Sequence, residues 1–101
     1  MWLMVMFDLP TLTKREKLEY VHFRKLLLHE AFVMLQFSVY AKYCASRENG
    51  QKYYAYVGDA VPPGGYVRVL MVTDKQFGEM VSFYGKTLQS IEHPPEQLLL
   101  F

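Results

Sequence analysis

Phe32-Val33-Met34-Leu35-Gln36-Phe37-Ser38-Val39-Tyr40-Ala41-Lys42-Tyr43 is the stretch on which the wiring of this chain turns. Read straight through, it is one long strand. Leu35, Phe37 and Val39 take one side, and Met34, Gln36, Ser38 and Tyr40 take the other. The elements then follow in the order β-α-β-α-β-β. A hairpin hidden within the stretch would give β-α-β-β-α-β instead, the split arrangement of ferredoxin-like folds. Residue pattern alone predicts an α+β class with one sheet and leaves both wirings open.

Upstream, Trp2 to Phe7 is apolar at every position and is closed by Asp8 and Pro10. Such a run predicts a central strand buried on both faces. Thr13 followed by Glu16 is a capping-box pattern, opening a helix that runs to about Glu30. Its spacing points Leu18, Val21, Leu27 and Leu28 inward, while Lys14, Arg15, Lys17, Arg24 and Lys25 occupy the other faces. Downstream, Ser46 is an N-cap candidate for a weaker helix from Arg47 to Val61, with Tyr54, Val57 and Val61 inward. Gly50 and Gly58 lower its propensity. Pro62-Pro63-Gly64-Gly65 is a loop. Tyr66 to Thr73 follows as a strand, with Val67, Val69 and Met71 alternating against Arg68, Leu70 and Val72. Asp74 to Phe77 reads as one helical turn, and Met80 to Tyr84 as a short fourth strand.

The chain has ten basic residues against seven acidic ones through Lys75, and one against three thereafter. The tail ends on Leu98-Leu99-Leu100-Phe101 after His93-Pro94-Pro95. An apolar terminus of this kind is expected to add as an edge strand, to a second copy in preference to its own sheet. Residues from about 85 to 101 are thus expected in dimer or partner contacts. With 101 residues, 51% hydrophobic and 21% charged, a single folded domain over 1–101 is expected, not a disordered tail. A net charge of +1 argues against a polycationic nucleic-acid condenser. The lone Cys44 excludes an intrachain disulfide framework and a Cys-rich zinc site. There is no basic leader and no apolar run near the roughly 20 residues of a membrane span, so a cytoplasmic protein without membrane contact is expected.

Phosphate-cradling glycine motifs, zinc-protease helices and nucleophile elbows are absent from the sequence, and His22, His29 and His93 lack ligand spacing. Asp8 stands out, being the sole acidic residue among the first fifteen and placed where the most apolar strand ends. A carboxylate there either accepts backbone N–H groups in an Asx-type turn near Leu9 to Thr11, or binds a hard cation such as Mg²⁺ or Mn²⁺ through oxygen. One carboxylate is a poor cation seat, whereas two brought together across a dimer axis make a better one. Lys14, Arg15, Lys17, Arg24 and Lys25 on the first helix, with Lys42, Arg47 and Arg68 flanking strands, form either a solvated, Glu-laced surface or a phosphate-binding one.

Phe7-Asp8-Leu9-Pro10, Met34-Leu35-Gln36-Phe37-Ser38-Val39-Tyr40, Ser46-Arg47-Glu48-Asn49, Val67-Arg68-Val69-Leu70 and Thr73-Asp74-Lys75-Gln76-Phe77, taken in that order, resemble the CRISPR-associated Cas-two (Cas2) family. The wording is similar to versions found beside the large RNA-guided nuclease of type II systems. The resemblance implies a ferredoxin-like βαββαβ fold, hence the hairpin wiring, and a homodimer with C-terminal strands that cross to the partner. It implies that Asp8 and its dimer mate hold Mg²⁺ or Mn²⁺ for phosphodiester hydrolysis of single-stranded RNA or duplex DNA. It further implies that the dimer bridges dimers of the Cas-one integrase and holds prespacer DNA during spacer acquisition. On this footing Lys14, Arg15, Arg24, Lys42, Arg47 and Arg68 are the nucleic-acid-binding candidates. Ser38 and Tyr40 are candidate hydrogen-bonding supports for Asp8. A non-catalytic DNA scaffold is the alternative reading.

Overall fold

The structure, a computed structural model, describes residues 1–89. Its elements are β1 (Trp2–Asp8), α1 (Lys14–His29), β2 (Val33–Gln36), β3 (Val39–Tyr43), α2 (Arg47–Asp59), β4 (Tyr66–Val72), α3 (Asp74–Gly78), β5 (Ser82–Tyr84) and β6 (Thr87–Gln89). Four strands form an antiparallel sheet in the order β2-β3-β1-β4. β1 is central, as its apolar run predicts: Trp2 pairs with Tyr43 on one side and with Val72 on the other. The expected burial on both faces is corrected, since Met4 and Met6 on the face away from the helices are only half-buried. The first six elements follow the βαββαβ order, with both crossover helices on one face of the sheet.

The 32–43 stretch is two strands, which corrects its reading as one. The chain reverses at Phe37 and Ser38, where Ser38 adopts a left-handed φ of 65°. Its carbonyl accepts a 3.0 Å hydrogen bond from Phe7 N–H, so the reversal is tied to the central strand. No Gly, Pro or Asn marks this turn, and period-2 alternation runs through it almost unbroken. The register shift between Met34 and Gln36 restores the pairing.

Leu3, Val5 and Phe7 of β1 lie under the helices with Phe23, Leu27, Phe32, Tyr40, Cys44 and Val57. α1 is capped as expected: Glu16 N–H donates to Thr13 Oγ1 at 3.1 Å, and Thr13 N–H donates to Glu16 Oε1 at 2.8 Å. Its inward face differs from the sequence expectation. Tyr20, Phe23 and Leu27 face the core, whereas Leu18 and Leu28 are exposed and Val21 lies near the surface. Two overlapping apolar stripes compete on this helix, and the aromatic one removes more area from water. In α2, Val57 is buried and Val61, just beyond its end, packs on the core as expected; Tyr53 replaces Tyr54 on the inward face. Gly50 is buried there because a Cβ would collide with the Met71 methyl group of β4. The Pro62–Gly65 loop is a tight turn, with Gly65 N–H donating to Pro62 C=O at 3.0 Å and Gly64 at φ 77°.

Among the described residues, the other face of the sheet is covered at one end only. α3 starts at a second capping box, Thr73 with Gln76. It lays Phe77 flat on Trp2, with ring centroids 4.1 Å apart and planes 8° apart. Trp2, Ala41 and Phe77 form this small buried cluster, flanked by Met4, Val33, Leu35 and Val72. Beyond it no other described element covers the face, and Asp8, Tyr66, Arg68 and Leu70 are exposed. The strand expected over Met80–Tyr84 is present as β5, but it pairs with β6 in a separate two-stranded ribbon, which corrects the expectation of a single sheet. Leu98–Phe101, read as an exchanged strand, lies outside the described residues.

Two outcomes follow from this packing. Phe77→Ala should lower the unfolding free energy by about 3 kcal/mol in urea titration and red-shift the emission of Trp2, the one tryptophan of the chain. Unchanged emission would contradict the stacking. Burial raises the Cys44 thiol above its ordinary value, so the folded state keeps a proton that the unfolded chain loses. Stability should therefore fall as pH rises above about 8.5, and Cys44→Val should flatten that decline in pH-dependent melting.

Candidate functional site

Strand alternation decides where Asp8 points. Leu3, Val5 and Phe7 are sealed under the helices, so the even-numbered positions Met4, Met6 and Asp8 belong to the opposite face. Asp8 is exposed at the end of β1, beyond the part that α3 covers. Its direct partner across the antiparallel ladder is Tyr66, and Met6 is paired with Arg68. Residues opposite each other share a face, so Asp8, Tyr66 and Arg68 stand together at the open end of the sheet. Among the described residues, no hydrogen bond or ion pair engages the Asp8 carboxylate. The following turn is held instead by Glu16, whose Oε1 accepts from Leu12 N–H at 3.0 Å. The Asx-turn alternative for Asp8 therefore has no support here.

Arg68 and Tyr66 form a unit. The guanidinium lies 4.6 Å from the centre of the Tyr66 ring, and its Nη2 donates to Tyr66 Oη at 3.2 Å. Both side chains are exposed. Sequence alternation sets Arg68 on the side opposite Val67, Val69 and Met71 but singles out neither Tyr66 nor its pairing with Asp8. That pairing depends on the register between β1 and β4.

The two candidate supports divide. Ser38 lies in the turn beside the end of β1, and its backbone carbonyl bonds Phe7. Tyr40 is corrected: it is 1% exposed in the helix-side core and stacks with Phe7 at 5.7 Å, on the face away from Asp8. Burial raises its phenol above the ordinary value, an effect that the Arg24 charge opposes.

The basic candidates do not gather into one patch. Lys14 and Arg15 begin α1, near the Asp8 end of the sheet, and Arg15 Nε pairs with Glu19 at 3.1 Å. Beside this pair, Leu18, His22, Pro62 and Pro63 line an open groove of about 510 Å³ on the helix side. Arg24 is exposed midway along α1, and Arg47 begins α2 at the far end of the sheet. Lys42 has a structural task. Its Nζ donates to Glu30 C=O at 2.8 Å, capping α1, and lies 5.2 Å from the Tyr53 ring centre.

Oxygen from Asp8 suits a hard cation such as Mg²⁺ or Mn²⁺. Among the described residues of one chain, however, no group of three or more His, Cys, Asp or Glu gathers to hold a metal. The donor type fits, and one carboxylate leaves the other coordination positions to water, substrate or a second copy. No helix among the described residues is long and apolar enough to cross a membrane.

Lys42→Met should lower stability by about 1–2 kcal/mol in urea titration and leave nucleic-acid affinity unchanged. Lost affinity at unchanged stability would return Lys42 to the binding surface.

Residues 1–80 match the family model described as CRISPR associated protein Cas2. A protein of Parvibaculum lavamentivorans described as a CRISPR-associated endoribonuclease Cas2 is 46% identical over 101 residues, covering the whole of both chains. One of Flavobacterium psychrophilum with the same description is 45% identical over 101 residues, covering all of this chain and 88% of that protein. In fold, the crystal structure of Streptococcus pyogenes Cas2 at pH 6.5 superimposes with a TM-score of 0.63 at 14% identity, covering 83% of this chain and 100% of the other. The split hairpin wiring, the aspartate that closes the central strand and similarity of this extent have one reading: the chain belongs to the CRISPR-associated protein Cas2 family.

Proposed function

We propose that this protein is a cytoplasmic, metal-dependent endonuclease that works as a homodimer in CRISPR spacer acquisition. In this reading the dimer bridges dimers of the Cas-one integrase and holds prespacer DNA. The observation that carries the catalytic part is the exposed Asp8 carboxylate, without a partner among the described residues, directly across from Tyr66 and diagonal to Arg68. The description of the relatives as endoribonucleases supports RNA as a substrate.

The dimer part rests on unfinished surface. Met4, Met6 and Leu70 give the middle of the open face an apolar centre, with Leu70 50% exposed. β4 is an edge of the main sheet, and β5 presents Phe83 and Tyr84 to solvent. A second copy laid on this face covers the apolar centre and presents its own Asp8 under a two-fold axis. Asp8 of each copy would hold a divalent cation, which would supply charge stabilisation at the phosphorus centre and a more acidic water. The chain's own residues supply the rest. Asp8 offers oxygen ligands, Arg68 offers N–H donors to phosphate, and the apolar centre keeps the interface free of competing water. Lys14, Arg15, Arg24 and Arg47 provide dispersed positive charge for a nucleic-acid backbone, with strong salt dependence.

A non-catalytic scaffold is the second reading, favoured by the absence, among the described residues, of a cluster of three or more metal-ligating side chains around Asp8. Asp8→Asn separates the two. The variant should remain a folded dimer and lose at least a hundredfold in Mg²⁺-dependent RNA cleavage. Undiminished cleavage by the purified variant would end the nuclease assignment. Leu70→Glu should convert the dimer to monomer in sedimentation velocity and abolish cleavage. A variant that stays dimeric would show that the copies meet elsewhere.

A further inference from the structure

We infer that Tyr66 is a positioning residue that holds the Arg68 guanidinium ready for a non-bridging phosphate oxygen beside Asp8. The inference rests on the reading of Asp8 as a phosphodiester site. Arg68 and Asp8 are diagonal neighbours on adjacent strands, close enough for a long side chain to reach across. Opposite charges so placed would ordinarily meet and consume each other's hydrogen-bonding capacity. Here Arg68 lies over Tyr66 instead, 4.6 Å from the ring centre, with Nη2 bonded to Tyr66 Oη at 3.2 Å. The contact uses one of five N–H groups and leaves the others for an anion.

Two physical consequences follow. The stack restricts a long, rotamer-rich side chain before substrate arrives, which lowers the ordering entropy of binding. It also keeps the carboxylate and the guanidinium separately available, one for a cation and the other for a phosphate oxygen, on the same face of one sheet. Arginine suits that task because its planar fork matches phosphate geometry and stacks on an aromatic face, neither of which lysine does equally well. A tyrosine directly opposite the aspartate and two residues from the arginine is the spacing that a strand allows for this unit.

The test uses the full-length protein and its Asp8→Asn, Tyr66→Phe, Tyr66→Thr, Arg68→Ala, Arg68→Lys and Tyr66→Thr/Arg68→Ala variants. Binding of a fluorescent single-stranded RNA oligonucleotide is measured in EDTA across a KCl series, and cleavage is measured with Mg²⁺. Tyr66→Phe keeps the ring and should bind within twofold of wild type. Tyr66→Thr and Arg68→Ala should each weaken metal-free binding about fivefold to tenfold and raise KM. The double variant should be no weaker than Arg68→Ala alone. Arg68→Ala should also lower the salt slope by about 0.7, and Arg68→Lys should restore the slope without restoring the affinity. Losses that add in the double variant, or wild-type binding by Arg68→Ala, would overturn the inference. Asp8→Asn reports separately, since it should bind RNA normally in EDTA while losing cleavage. Full cleavage by it would overturn the nuclease reading and leave the metal-free binding series to decide the role of Tyr66. Tyr66 is 60% exposed and threonine favours strands, so Tyr66→Thr should fold; circular dichroism and Tyr66→Phe control for this.

Discussion

The central strand cannot bury both of its faces, and the rest of the molecule follows from how it divides them. Leu3, Val5 and Phe7 are held beneath two helices, so every even-numbered neighbour is committed to the opposite side by the two-residue period of a strand. A one-residue slip would put Asp8 into the core and Phe7 into water, which is why the register is strongly determined. The aromatic contacts of Phe7 with Phe23 at 5.1 Å and with Tyr40 at 5.7 Å hold the strand to its register. The acid therefore emerges on the open face because the phenylalanine before it is anchored on the closed one.

That open face is graded along its length. At the Trp2 end, the short helix α3 closes it with one stacked aromatic pair. In the middle it is apolar and partly accessible, around Met4, Met6 and Leu70. At the Asp8 end it becomes polar, with a carboxylate, a phenol and a guanidinium on two neighbouring strands. In the proposed reading, the apolar centre serves association and the polar rim serves the chemistry. The basic residues of the helices lie elsewhere.

Much of the fold was legible from local chemistry. The uninterrupted apolar run of Trp2 to Phe7 identified the central strand, and Thr13 with Glu16 identified the start of α1, because both signals are complete within a few residues. Ser46 marked α2 in the same way. The hairpin at Phe37 and Ser38 was not legible from pattern, since a serine at φ 65° keeps the strand alternation and is tied down by Phe7 from a distant part of the chain. Resemblance to a family supplied the wiring that periodicity left open. The facing residues of α1 were misjudged for a related reason. Several apolar stripes were available on that helix, and the shape of the core selected the one carrying Tyr20, Phe23 and Leu27.

The site shows the same division. Asp8 was conspicuous in the sequence because an acid that terminates an apolar run must have a use or a partner. Lys42 and Tyr40 looked equally available, yet one caps α1 and the other fills the core. No local pattern marks Tyr66. By itself, the sequence determined the elements, their caps and the singular position of Asp8, since these arise from propensities and patterns a few residues long. Only the tertiary structure decided which residues surround Asp8, because strand register joins positions nearly sixty residues apart.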